Sequence, residues 1–355
     1  MAELPYTSAI ITPAAGGARP VSMIESESPP KSPVPAGSPR AQRAAAFALL
    51  LGTLFWGIGF TWAKQGGEAV HRVTGLPGGS GFGPIFVLAW RFTLGGFVWL
   101  LLFPAARKGW TWRSVARSVL IGGLLGFGII VQHLGLDLTT EAVSAFLTSL
   151  TILFVPILMT MVMRKPPRPM LWLGVVVATL GVWLMTGATP TGFGKGELLG
   201  LACSVAFSVY ILAVNAIVPH EVPWRITGGQ FIVTGAMCFA ACALTPHGTA
   251  NLHPMAMARI LATPAVWQNV VLLAIFPTIA AFGLLTHFQP RLDPTRAALI
   301  YLIEPIVAAA YAAIAVHHYP VPMAGAGAAL ILVANVMVEL LSSRAARATP
   351  PIVLD

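Results

Sequence analysis

The stretch TRAALIYLIEPIVAAAYAAI, residues 295–314, reads as one apolar helix with a carboxylate and a proline, Glu304 and Pro305, side by side near its middle. At a rise of about 1.5 Å per residue, Glu304 stands roughly 15 Å from the helix start. In water an acidic side chain there would be ordinary. In hydrocarbon it costs at least about 2.5–3.5 kcal/mol unless it is paired or wetted. The solvent around this helix therefore decides how the whole chain is read.

Composition identifies that solvent. Of 355 residues, 56% are apolar and only 9% are charged, against about 25% charged in an ordinary soluble domain. So few charges cannot furnish a wetted surface, and the lipid bilayer is the expected surrounding. The net charge of +9 does not point to nucleic acid, because the basic residues are scattered singly between apolar runs. Cys203, Cys238 and Cys242 all fall inside such runs and read as small packing residues. No disulfide framework, metal site or cofactor is expected.

Ten apolar runs follow one another, at about 42–65, 84–104, 117–136, 141–163, 169–187, 196–218, 226–246, 266–288, 294–316 and 320–341. Each is long enough to cross about 30 Å of hydrocarbon as a helix. Lipid offers the backbone no water to bond, which favours helices, and the short alternating segments of a membrane barrel are absent. Residues 1–41, with PPKSPVPAGSPR, have no periodicity and read as a disordered cytoplasmic tail, and 344–355 as a second, C-terminal tail. With the N-terminus inside, fourteen Lys and Arg residues fall on the cytoplasmic side, against Lys64, Arg72, Lys195 and Arg259 outside. A multi-pass protein with both termini cytoplasmic is expected.

Ten spans divide into five and five, and five is odd, so the second half enters with opposite polarity. The expected fold is an all-α integral membrane protein, ten transmembrane helices arranged as two inverted five-helix repeats, 42–187 and 196–343. The fourth and ninth runs look alike, each placing a proline, Pro156 or Pro305, in a helix rich in small residues. Interrupted helices at matching places in inverted halves point to the binding site of a transporter.

Several motifs in order resemble a known family. LFWGIGFTWAK in the first span, LAWRF in the second, VQHLGLDLTTEAVSAFLTSLTILFVPIL across the third and fourth, and DPTRAALIYLIEPIVAA followed by AGAGAALILVANVMVELL at the end are similar to the EamA-type branch of the drug/metabolite transporter superfamily. The resemblance covers residues 42–343. It implies a ten-helix carrier of small metabolites, often an exporter, in the plasma membrane, here a bacterial inner membrane. Two departures are visible: His317-His318 stands where the family usually has Gly-Glu, and the first outer loop is long.

Polar residues inside the spans are the candidate cavity lining: Trp56, Arg91, Gln132, Thr148, Tyr210, Thr278, Tyr301 and Glu304, with Pro156, Pro277 and Pro305 as candidate helix breaks or hinges. Pro305 cannot donate to the carbonyl of Tyr301, which is left free for another donor. Glu304 reads either as a proton or amine site or as a clamp at a kink. Arg91 reads either as a clamp for a substrate carboxylate or as internal glue, with a salt bridge to Glu304 as one form of it. Trp90, deep like Trp56, and His133 beside Gln132 belong to the same population. Gly122/Gly126 and Gly325/Ala329 suit close helix packing.

No enzyme motif appears: neither His-Glu-x-x-His, nor Gly-x-Ser-x-Gly, nor a phosphate loop. A non-catalytic carrier of a small-molecule substrate, working by alternating access around a mid-membrane cavity, is the expected function. Amino acids and small amines are the expected class, since no cluster of basic residues suits a polyanion. A scaffold or an intramembrane enzyme is the alternative. Proton coupling, direction and homodimerisation stay open.

Overall fold

A computed structural model describes residues 39–162, 169–185, 194–292, 294–319 and 322–348. The expectation of disordered tails falls mostly on 1–38 and 349–355, outside the described residues, as do Arg164, Lys165 and Arg168. Among the described residues the chain is helical, with no strand.

The helices are α1 (Pro39–Thr74), α2 (Phe82–Leu102), the single turn α3 (Pro104–Arg107), α4 (Trp112–Leu136), α5 (Glu141–Ser149), α6 (Thr151–Val162), α7 (Pro169–Met185) and α8 (Lys195–Ile217). Then come α9 (Pro223–Ala243), the short α10 (Gly248–Asn251), α11 (Pro254–Leu261), α12 (Pro264–Leu273), α13 (Ala281–Phe288), α14 (Pro294–Tyr301), α15 (Glu304–Ala315) and α16 (Pro322–Ala348). A π-helical segment, Ala274–Ala280, joins α12 to α13.

Among the described residues, seven stretches are long and apolar enough to cross a membrane, Glu141–Met159 and Pro264–Phe288 among them. Three shorter apolar ones are Trp172–Met185, Leu299–Ala315 and Pro322–Val338. The first span runs well past the expected residue 65. Residues 66–74, expected in an outer loop, continue α1 because Gly66 and Gly67 let it lie directly on α2. A Cβ on Gly67 would come within 3.2 Å of the Pro84 backbone, and one on Gly83 within 2.4 Å of the Gly67 carbonyl. Gly75, at φ +72°, then stops the helix.

The first helix is the hub. It packs against α2, α12, α13 and α15, while α2 and α4 both lie along α9 and α4 also lies along α8. The main core, with Phe86, Phe92, Trp99 and Phe231, fills the space between α1, α2, α4, α9 and α12. A second core joins α5, α6, α7 and α16 through Leu147, Leu150, Val182 and Ile331. Where α7 crosses α16, Gly181 and Gly327 face one another. A Cβ on Gly181 would stand 2.7 Å from the Gly327 carbonyl, and one on Gly327 2.4 Å from that of Gly181. Gly325, expected to serve close helix packing, faces open space instead. Gly122 and Gly126 do sit in tight contacts, against Val233 and Met237 of α9.

Two of the expected spans are interrupted. One breaks between α14 and α15, at Leu302 and Ile303, and the other between α5 and α6, at Leu150. Pro156, expected to mark the second break, lies inside α6. Hydroxyls take over the backbone groups at Leu150: Ser149 Oγ donates to the Phe146 carbonyl and Thr151 Oγ1 to that of Thr148, both at 2.7 Å. From α16, Asn335 Nδ2 donates to Ser149 Oγ at 3.0 Å and to its carbonyl at 3.3 Å.

Candidate functional site

Pro277 has no N–H, so the Leu273 carbonyl, four residues earlier, loses its helical donor. The helix widens there into the π segment, a frequent mark of functional sites. Thr278 Oγ1 donates to the Leu273 carbonyl at 2.9 Å and accepts from Arg91 Nε at 2.8 Å. Next to it, the Pro277 carbonyl accepts the indole N–H of Trp56 at 2.8 Å. Gly95 lets α2 come this close, since a Cβ would stand 2.9 Å from the Thr278 methyl. Arg91 is 6% exposed. Its guanidinium also lies over the Phe92 ring, 5.0 Å from the centroid, while no described residue hydrogen-bonds or ion-pairs with its two Nη groups.

The break between α14 and α15 sets Glu304 in the first turn of α15 and Pro305 at its second position, where a missing N–H costs nothing. Gly57 on α1 allows the approach, because a Cβ there would stand 2.8 Å from the Glu304 carbonyl and from Val307. Among the described residues, no group donates to the Glu304 carboxylate, which is half-buried. Its charge reaches Cys203 of α8 and Tyr301. The Tyr301 ring lies 6.0 Å from that of Trp56, and its hydroxyl donates to Gln289 Oε1 at 3.0 Å.

Cys203 belongs to a polar knot under Glu304. Thr148 Oγ1 donates to the Ser144 carbonyl at 2.8 Å, accepts from Gln132 Nε2 at 3.0 Å and lies 3.5 Å from Cys203 Sγ. Of the predicted lining, Trp56, Arg91 and Thr278 meet at the π segment that holds Pro277, Glu304 stands beside the α14–α15 break with Pro305 next to it, Gln132 and Thr148 are bonded to each other, and Tyr301 reaches from Trp56 towards Gln289. Tyr210 instead ties α8 to α9, donating to Gln230 Oε1 at 3.0 Å. The salt bridge between Arg91 and Glu304 is not formed: the four ion pairs among the described residues involve neither. Thr278 occupies Arg91 Nε, Trp56 bonds next to Thr278, and Gly57 lies against the Glu304 backbone carbonyl. Sequence reasoning missed Cys203 and Gly57 as site residues; a glycine next to a tryptophan deep in the span was the available signal.

Charged clusters hold the two ends of the bundle. At one end, Glu221 pairs with Arg117 at 2.8 Å and Arg225 at 3.7 Å and accepts from Ser114 at 2.9 Å. Burial pushes the Glu221 carboxyl up, but the bonds from Arg117 and Ser114 and the charges of Arg117 and Arg225 outweigh it and hold it below its usual value. At the opposite end, the buried Glu141 meets His318 Nδ1 at 3.3 Å, joining the start of α5 to the end of α15. Lys64 Nζ bonds the Thr139 carbonyl nearby. Asp137 accepts from the Gly79 N–H at 2.8 Å and lies 3.8 Å from His71. A cleft of about 390 Å³ lined by Glu68, His71, Arg72 and Gly75 opens at the end of α1, away from Glu304.

A family described as the EamA-like transporter family matches residues 43–187 and again 194–340. The chain belongs to the EamA-like transporter family. It is a membrane transporter. A curated relative from Archaeoglobus fulgidus, described as an uncharacterized transporter, is 25% identical over 244 residues, 69% of this chain and 74% of that protein. A protein of known crystal structure, 22% identical, superposes with a TM-score of 0.55 over 85% of this chain and 99% of its own. That likeness supports the fold of this EamA-like chain, and the family match supports transport over catalysis.

Proposed function

We propose that this EamA-like protein is a secondary carrier of small zwitterionic metabolites, amino acids being the leading class, that works by alternating access and acts as an exporter. The observation that carries the substrate class is the pair of unneutralised charges at the bundle centre. Arg91 keeps two donor groups without a hydrogen bond and Glu304 has no donor among the described residues, and α1 reaches both through Trp56, next to Thr278, and Gly57, against the Glu304 backbone. Lone charges in hydrocarbon are costly, so a cavity and a ligand that completes them is the economical reading. A substrate carboxylate suits Arg91, which can bind it in a fork. An ammonium suits Glu304, with the Trp56 and Tyr301 rings offering their faces.

The alternating-access reading rests on ten spans in two inverted repeats, 42–187 and 196–343. Helix contacts support it, because they exchange when the halves are exchanged. The first span packs on the ninth (α1 on α15) and the sixth on the fourth (α8 on α5 and α6). The first also packs on the eighth, α12 and α13, as the sixth does on the third, α4. The two pairs that would map onto themselves, α2 with α9 and α7 with α16, are among the broadest contacts. The breaks also correspond, nine residues after Glu141 and eight after Pro294. With the Glu221 end cytoplasmic, as the basic residues suggest, both termini lie inside a plasma membrane.

The test compares metabolites in the medium of cells producing this protein and of cells producing Glu304→Ala or Arg91→Gln at equal membrane abundance. Amino acids accumulating outside only with the intact protein support the reading. Equal accumulation with all three, or none with any, contradicts it.

A further inference from the structure

The turn between α2 and α4 is bonded at several points along its length. Trp110 Nε1 donates to the Ala106 carbonyl at 3.0 Å, and Arg225 Nε of α9 donates to the Lys108 carbonyl at 3.0 Å. Thr111 caps α4 by accepting the Ser114 N–H at 3.1 Å. Gly109, at φ +71°, leaves room for the arginine, since a Cβ there would stand 2.7 Å from Arg225 Nη2. The side chains of Arg107, Lys108 and Arg113 are exposed along this turn, and no described residue bonds or pairs with them. Arg117 and Arg225 are different, because both pair with Glu221 and cancel its charge.

Beside these cations a groove of about 210 Å³ runs between α2, α4 and α9. Trp110, Val115, Val119 and Ile232 line it and are exposed, while Ser118 and Gly229 line it and are buried. Gly229 keeps it open, since a Cβ there would stand 2.9 Å from the Trp110 ring. Trp110 joins the groove to the cations: its ring lines the one, and its N–H is bonded within the turn that carries Arg107 and Lys108. Val115, farther along the groove, follows Arg113 by two residues.

We infer that the groove and the three cations form a binding site for one anionic glycerophospholipid, with an acyl chain in the groove and the headgroup phosphate against Arg107, Lys108 and Arg113. Charge complementarity selects the occupant. The groove is apolar and opens on the lipid-facing side of a membrane protein, so a hydrocarbon chain fits it. Three unpaired cations at its rim call for a net negative headgroup, which a zwitterionic lipid lacks. Basic pockets between membrane helices hold anionic headgroups in this way, and Trp110 and Trp112 suit the same interfacial depth. The inference goes beyond the carrier reading and uses neither its substrate nor its orientation.

The full-length protein, purified and delipidated in detergent, would be offered equal amounts of phosphatidylglycerol and phosphatidylcholine with the same acyl chains, and bound lipid counted by native mass spectrometry. The expected result is one phosphatidylglycerol retained in preference by about tenfold or more, with a loss of about fivefold for each of Arg107→Gln, Lys108→Gln and Arg113→Gln. The triple variant should show no preference, and Arg259→Gln, on α11 at the opposite end, should match wild type. Val119→Trp, which fills the groove from an exposed position, should lower retention with the cations intact. If the triple variant does not fold, the three single variants decide. Equal retention of the two lipids, a preference that the triple variant keeps, or an equal loss in Arg259→Gln overturns the headgroup site. Retention unchanged in Val119→Trp, or displacement of the lipid by an equal concentration of glycerol 3-phosphate, overturns the acyl groove. Each of these outcomes leaves the carrier reading to the metabolites in the medium.

Discussion

Arg91 Nε lies 2.8 Å from Thr278 Oγ1, and that same hydroxyl lies 2.9 Å from the Leu273 carbonyl, whose α-helical donor Pro277 removes and the π segment shifts to residue 278. One side chain thus repairs a proline-broken helix and anchors a buried cation on it.

Thr278→Val keeps the shape and removes both bonds. The buried Arg91 Nε–H is left unpaired, at about 1–3 kcal/mol, and the Leu273 carbonyl loses its second donor, so the purified protein should melt below wild type. Thr278→Ser, which keeps the hydroxyl, should melt close to it. A valine variant as stable as wild type would show that the relay is incidental.

Gly181 and Gly327 touch through their backbones, so Gly181→Ala or Gly327→Ala forces α7 and α16 apart. Overpacking of this kind costs about 1–3 kcal/mol. Gly325→Ala meets open space and should change stability by less than about 0.5 kcal/mol. Melting curves of the three variants separate the crossing point from its neighbour two residues away.

Glu221 links stability to pH. Its folded value is depressed, so its contribution is complete above the ordinary Glu value of 4.5 and is lost as pH falls through that value and below. Glu221→Gln should melt lower than wild type near neutral pH, and the difference should shrink in acid. A gap that widens in acid would mean that the Arg117 and Arg225 pairs act some other way.

At the other end, His318→Ala frees Glu141 and loosens α5 from α15. Cys203, buried next to Thr148 beneath this contact, should then react several-fold faster with a membrane-permeant maleimide, read by mass spectrometry of its peptide. An unchanged rate would remove the Glu141–His318 contact from any gating role.

Much of this was legible in the chain because lipid constrains it so strongly. Long apolar runs predicted the helices, and Glu304 beside Pro305 predicted a broken helix, since both residues fit poorly in an unbroken one. The break at Leu150 was hidden because no proline stands there. Its signal is the polar pair Ser149 and Thr151, whose hydroxyls bond the Phe146 and Thr148 carbonyls at the break. The Arg91–Thr278 bond spans 187 residues, and no local pattern encodes such a pairing. Gly327 was passed over for Gly325 because two residues are about 200° apart around a helix, and hydropathy does not say which face meets α7. The loop that turned out to be the end of α1 misled through its glycines, which serve close packing on α2 rather than a turn.

The account stands on Arg91 and Glu304 meeting the two ends of one small molecule. The direct measurement is counterflow in proteoliposomes loaded with a mixture of the common amino acids, with wild type compared to Arg91→Gln and Glu304→Gln at equal reconstitution and equal melting temperature. The wild type should exchange at least one amino acid, and each variant should lose about tenfold or more of that rate, equivalent to about 1.4 kcal/mol of lost interaction. Variants that exchange as fast as the wild type would contradict the account and leave both charges as packing elements.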